Sequence, residues 1–196
     1  MNVIQNRQIV GVMGFTGLLF ISTFVFSSLR IALNIVFRAE RSHGILHGII
    51  VDLLMILLVG ILLLVSMFLS PVVTFLQSYQ GRIPMAIGPV IQWLLKYLLP
   101  FFLTGCMFFS IYKIIPNKRV HIKSALQAAF FTSLLWELAK HLFAWYIVHL
   151  AEYSIFYGSL STLVIFVLWV YYSSTILILG GELAYFLEED LQKATG

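Results

Sequence analysis

Charge is what this chain has least of. Of its 196 residues, 12 are Lys or Arg and 8 are Asp or Glu, 10% in all, against 61% apolar. A soluble domain carries about 25% charged residues. A surface this poor in charge cannot stay in water, so a soluble globular protein is excluded. There is one cysteine, Cys106, which excludes an intrachain disulfide. The alternating segments of about 10 residues that mark barrel strands are missing. So are a glycine-rich phosphate loop, a nucleophile elbow and paired histidines with an intervening glutamate. No enzyme motif and no cofactor is therefore expected, and the protein is read as a non-enzyme. A nuclease would need carboxylates or histidines gathered round a metal in an aqueous cleft, and the candidates here are spread over different segments.

What is present are apolar runs of about 20 residues or more, enough to cross roughly 30 Å of hydrocarbon as helices. The reading is all-α: a polytopic transmembrane helical bundle of about five spans plus one interfacial amphipathic helix, forming a single membrane domain over 1–196. The spans are 9–28, 44–69, 91–115, 124–150 and 159–187. The interfacial helix is 29–41, where Leu29, Leu33, Val36 and Phe37 share one face and Arg30, Asn34, Arg38 and Arg41 lie largely elsewhere. A helical extension of the first span is the alternative. Gly11, Gly14 and Gly17 give the first span a small face where a neighbour can approach, and Gly44 and Gly48 form a small-xxx-small pair at the start of the second. Gly180 and Gly181 are the corresponding packing glycines of the fifth.

Between Pro71 and Pro89 the helix-breaking residues Pro71, Gly81, Pro84, Gly88 and Pro89 indicate a loop or a re-entrant segment. Pro100 is expected to kink the third span. His43 and His47 are four apart, a spacing that suits zinc, but a site needs a third and fourth ligand, and no metal is expected. Lys and Arg are counted by side. Arg30, Arg38, Arg41, Lys113, Lys118, Arg119, Lys123 and Lys193 fall together, eight residues against Arg7 and Arg82 opposite. By the positive-inside rule the basic loops and the C-terminus face the cytoplasm. Basic residues in loops beside apolar runs orient a membrane protein, and no nucleic-acid partner is expected. Glu188, Glu189, Asp190 and Lys193 are read as ending the chain in water.

Charges inside a span call for an explanation, because one near the bilayer centre costs about 2.5–3.5 kcal/mol on insertion scales. Glu137 lies near the middle of the fourth span. Lys140 and His141 follow at i+3 and i+4, so all three can meet on one face, with Trp136 beside them. Two readings stand: a mutually neutralised pair packed against neighbouring helices, or the lining of a polar path or gate. Asp52 and Glu182 should sit near the cytoplasmic level and, with Arg119 and Lys123, could form a vestibule. Solvation or helix-end pairing is the alternative for both carboxylates.

Tyr112 and Pro116 in "YKIIPNKRV", then Trp136, Lys140 and Tyr146, then Tyr157-Gly158-Ser159, "LWVYYSS" and "LGGEL" occur in this order. In these motifs the C-terminal half resembles the YihY/virulence factor BrkB family, bacterial inner-membrane proteins once mislabelled as ribonuclease BN. The resemblance implies a helical bundle in the bacterial inner membrane, with a further N-terminal span ahead of the first one here. Gly180-Gly181-Glu182 stands where the family reads Gly-Ala-Glu. For function it implies movement of a lipid or another envelope component, and the old nuclease label is not carried over. The alternative is a membrane scaffold that assembles with itself or a partner through its glycine faces; a membrane-embedded enzyme comes third. Membrane lipids and a second copy of the chain are the expected partners.

Overall fold

The computed structural model describes residues 7–39, 45–78, 93–150 and 159–195. Every regular element among them is helical. In order they are α1 (Arg7–Val36), α2 (Ile45–Ser78), a π-helical turn (Leu94–Leu98) running into α3 (Leu99–Ile114), α4 (Ile122–Leu150) and α5 (Ser159–Thr195). The all-α membrane bundle expected from the apolar runs is thus the fold found. In hydrocarbon a backbone N–H or C=O has no water to bond, so an apolar run must satisfy itself as a helix. Its hydroxyls do the same: Thr16, Thr23 and Thr175 donate to the carbonyls of Val12, Leu19 and Tyr171, each one turn back. Among the described residues, three helices hold a stretch long and apolar enough to cross a membrane: Val10–Val36 in α1, Gly48–Phe68 in α2 and Thr162–Lys193 in α5. The helix α3 is shorter and apolar. The 29-residue α4 matches them in length but carries Lys123, Glu137 and Lys140 among its apolar residues.

Four details differ from the expectation. First, α1 does not stop at Ser28. It runs unbroken to Val36, so 29–36 are its last turns, with Leu33 in them and Phe37 just beyond fully buried in the bundle. Arg38 ends it with φ 48°, and the amides of Arg38 and Ala39 bond back to the carbonyls of Ile35 and Asn34. That pairing satisfies the last carbonyls of a helix through one left-handed residue. Second, Pro71 does not break α2, which continues to Ser78. A proline's missing N–H is tolerated in a membrane helix where the freed carbonyl finds another partner. Third, Pro100 stands in the first turn of α3, directly after the π-helical turn, and the Leu99 amide donates to the Leu94 carbonyl. The wider turn moves the start of the α-helical ladder to where a proline has no bond to lose. Fourth, α5 extends to Thr195, and Glu188 is completely buried rather than solvated.

Packing is concentrated at one end. The helix α4 lies against both α3 and α5, α1 lies against α2 and reaches α5, and α2 touches α3. The buried cluster contains Leu33 and Phe37 from α1, Phe108, Ile111 and Tyr112 from α3, Ile115 and Val120 from the loop, Ala125, Ala128 and Ala129 from α4, and Ala184 from α5. All of these belong to the end where α1 and α3 finish and α4 begins. The loop is tied in as well, since the Asn117 amide donates to Asn34 Oδ1 at 2.8 Å. Lys113 Nζ donates to the Val120 carbonyl and closes the turn.

Candidate functional site

Three polar junctions hold the basic end together. At the first, α3, α4 and α5 meet on a glycine. The Tyr112 hydroxyl donates to the Leu177 carbonyl at 3.0 Å and lies 3.2 Å from Thr132 Oγ1. Both side chains occupy the space over Gly180, where a Cβ would come 2.1 Å from the Tyr112 oxygen and 2.0 Å from Thr132 Oγ1. Only a residue without a side chain admits them. Its neighbour Gly181 takes α1: a Cβ there would meet Leu33 Cδ2 at 3.0 Å. Phe37 adds an edge-to-face contact with Tyr185, whose ring also lies under the Arg38 guanidinium at 5.3 Å.

The second junction is Glu188. Its carboxylate accepts from the His121 amide at 2.7 Å and the Ser124 hydroxyl at 3.0 Å, and its Oε1 lies 2.5 Å from His121 Nδ1. His121 immediately precedes α4. A carboxylate from α5 therefore caps the N-terminus of α4, where unpaired amides and the helix dipole favour negative charge. The sequence does hold a signal for the burial of Glu188. Gly181, Ala184 and Glu188 recur at three and four residues, which sets Glu188 on the packed face of α5.

The third junction joins α1 and α2. Arg30 Nη2 lies 3.1 Å from Asp52 Oδ2, with the Asp52 side chain only 4% exposed. The guanidinium rests on Gly48, where a Cβ would fall 1.5 Å from Arg30 Nη1. Asp52 thus answers Arg30, and Glu182 is exposed on α5. Arg119 and Lys123 are also exposed. They line a basic pocket with Lys113 and His121 at the loop between α3 and α4.

Deeper along α4, Lys140 Nζ lies 2.7 Å from Glu137 Oε1, and the two side chains are 39% and 26% exposed. Glu137 is fifteen residues beyond Ile122, about 22 Å along the helix. The pair forms within one turn of a single helix, so its existence needed no tertiary contact. Trp136 turns away from it into an aromatic cluster, 5.7 Å from Phe108 and 5.4 Å from Trp169, with Phe143 next to Trp169 at 4.7 Å. His141 is exposed. A cleft of about 430 Å³ follows between the far halves of α4 and α5, lined by Phe143, Tyr146, Trp169 and Tyr172 among others.

Gly11, Gly14 and Gly17 face open space, with nothing within 4 Å of a Cβ. Gly44, His43, the side chain of His47 and the Tyr157-Gly158 turn lie outside the described residues, as do positions 79–92 of the proline- and glycine-containing stretch. Among the described residues, no three His, Cys, Asp or Glu side chains come together as metal ligands.

The packed elements coincide with the motifs singled out in the sequence: Tyr112 and the loop after it, Trp136, and Gly180-Gly181. Comparison with known proteins extends that likeness to the whole chain. A UPF0761 membrane protein of Pseudoalteromonas atlantica is 29% identical over 189 residues, covering 94% of this chain and 60% of its own length. One of Glaesserella parasuis is 27% identical over 186 residues, covering 95% and 64%. One of Legionella pneumophila is 30% identical over 190 residues, covering 95% and 44%. The chain therefore spans less than two thirds of the length of these relatives. No solved structure matches it. The family model of virulence factor BrkB matches residues 2–196. With that match across the helices that carry the polar junctions, the chain belongs to the virulence factor BrkB family.

Proposed function

We propose that this protein moves a lipid or another envelope component through the bacterial inner membrane, with its basic loops and C-terminus in the cytoplasm. The observation that carries the reading is the Glu137–Lys140 pair. It sits about 22 Å into α4 and is partly exposed on the surface of the bundle. An ion pair open to hydrocarbon at that depth would lose solvation that a single mutual contact does not restore. The pair is better accommodated if water or a polar headgroup reaches it. A headgroup passing between leaflets needs such polar contact within the hydrocarbon region. The eight-to-two bias of basic residues supports the cytoplasmic orientation, and the same residues would draw anionic headgroups to the entrance at about 1 kcal/mol each.

The test is lipid movement in proteoliposomes by wild type, Glu137→Gln and Lys140→Met, each first shown to be folded. Wild type should equilibrate a labelled lipid between leaflets, and each variant should slow it at least about tenfold, the effect of about 1.4 kcal/mol. Wild-type movement that survives both substitutions removes the pair from the path. No movement by folded wild type sinks the transport reading.

A second reading has its own observation. Gly11, Gly14 and Gly17 lie on a helix half that none of the described residues covers, and such a face lets another helix approach closely. A scaffold assembling through α1 would use it. Cross-linking from positions beside Gly14 separates the two, because a scaffold forms a defined cross-linked species and a monomeric translocator does not.

A further inference from the structure

We infer that the groove between α3 and α4 holds one acyl chain of an anionic glycerophospholipid, with its phosphate on Lys113, Arg119 and Lys123. The groove measures about 590 Å³, within the roughly 300–1,000 Å³ of ligand sites. Its α3 wall is Phe102, Cys106 and Phe109, and its α4 wall is Leu126, Phe130 and Ser133. The lining is apolar apart from the Ser133 hydroxyl, and that proton is already given to the Ala129 carbonyl at 2.7 Å. Nothing in the groove asks for a polar ligand group.

Both walls end in a basic residue at the same end. On α3, Phe102, Cys106 and Phe109 continue at helical spacing to Lys113. On α4, Ser133, Phe130 and Leu126 continue to Lys123. Lys113 and Lys123 then line the same loop pocket, together with Arg119 and His121. Two of the carboxylates nearby are engaged elsewhere: Glu188 caps α4 through His121 and Ser124, and Glu189 pairs with Lys193 at 2.8 Å. An apolar slot with a cationic mouth is complementary to a lipid with an anionic headgroup.

Charge favours a lipid over a helix as the occupant. The α4 wall from Lys123 to Ser133 is ten residues, about 15 Å, half of the roughly 30 Å hydrocarbon core, and the other wall continues past Leu98 to Leu94. An acyl chain rooted at the basic end fits along both walls while its phosphate meets Lys113, Arg119 and Lys123 at the mouth. An apolar crossing helix offers those cations no partner.

The inference deepens the proposed lipid reading by naming a lipid class and its seat, but binding requires no translocation. The measurement is lipid retention by the detergent-purified protein, using native mass spectrometry. Phosphatidylglycerol, phosphatidylcholine of the same chains, and glycerol 3-phosphate would be added in turn. Wild type should retain phosphatidylglycerol in preference to phosphatidylcholine and should not retain glycerol 3-phosphate. Lys123→Gln should lower phosphatidylglycerol retention about fivefold, and Arg119→Gln with Lys123→Gln about thirtyfold. Gly105→Phe should block both lipids, since Gly105 borders the groove and its nearest neighbour to a Cβ is Ser133 Oγ at 3.6 Å. If that variant does not fold, Cys106 supplies the same information. Its thiol lines the groove, and phosphatidylglycerol should slow its reaction with a lipophilic maleimide in wild type.

Equal retention of both lipids by wild type, or retention of glycerol 3-phosphate alone, would overturn the inference. So would a groove whose blocking changes the oligomeric state but not lipid retention, because a second copy would then be the occupant. Phosphatidylglycerol retained by a protein that moves no lipid keeps the groove and removes the transport reading. Lipid movement by a protein that retains no phosphatidylglycerol does the reverse.

Discussion

The two ends of this bundle are built on different terms. At the loop end, α1, α3, α4 and α5 are locked by polar atoms that each find a partner: the Tyr112 hydroxyl over Gly180, the Glu188 carboxylate on the start of α4, and Asn34 on the loop. At the other end, the first half of α1 presents Val12, Met13, Phe15 and Phe20 outward, and its glycines touch nothing. The difference shows where a membrane protein can place specificity. Burying apolar side chains gains little when lipid is as apolar as the protein, so defined geometry comes from close backbone approach and satisfied polar contacts. The loop end has both. The open half of α1 has neither among the described residues and is left to lipid or to another helix.

Substitutions can break this contrast, and the largest effect is expected at Glu188. Glu188→Ala leaves the His121 amide and the Ser124 hydroxyl without their acceptor in a buried place. It should cost about 3 kcal/mol in equilibrium unfolding from mixed micelles. A loss below about 1 kcal/mol would mean that the α4 cap is met by water. Gly180→Ala comes next, because its Cβ would collide with Tyr112 and Thr132, both fully buried. Forced overpacking of this kind costs about 2 kcal/mol. Tyr112→Phe keeps the ring and removes only the hydroxyl, so about 1 kcal/mol should be lost. Combining it with Gly180→Ala should cost less than the two losses summed, since both changes act at one contact. The smallest effect belongs to the open end. Gly14→Ala should be neutral or stabilise the monomer by up to about 1 kcal/mol through helix propensity. A clear loss there, with a change in cross-linking, would show that α1 has a helix partner and would end the contrast.

Much of this was legible in the sequence because one constraint decides it. Apolar runs that must satisfy their own backbone become helices, so α1, α2, α4 and α5 are visible as runs, and Glu137 with Lys140 is visible as a pair because i and i+3 meet on any helix. Boundaries were less visible. The stretch after Ser28 reads as a separate amphipathic helix, whereas it continues α1 and sets its apolar side against α5. Pro71 read as a helix breaker, because its tolerance in α2 depends on surroundings that the local sequence does not state. Glu188 read as a solvated tail residue. The i, i+3, i+7 series with Gly181 and Ala184 was available to correct that, although two acidic neighbours pointed the other way.

By itself, the sequence determined that this protein is a helical bundle in a membrane, which apolar runs become helices, and that an ion pair lies within α4. Composition and helical period suffice for these, since each depends only on residues a turn or a run apart. The tertiary structure alone decided that Asp52 answers Arg30 across twenty-two positions, and that Glu188 caps a helix sixty-seven residues before it. It also set Tyr112 and Thr132 over Gly180 and joined two apolar walls into a groove with a basic mouth. These are meetings between distant segments. Their partners are chosen by how the helices pack, and no local spacing in the chain encodes that choice.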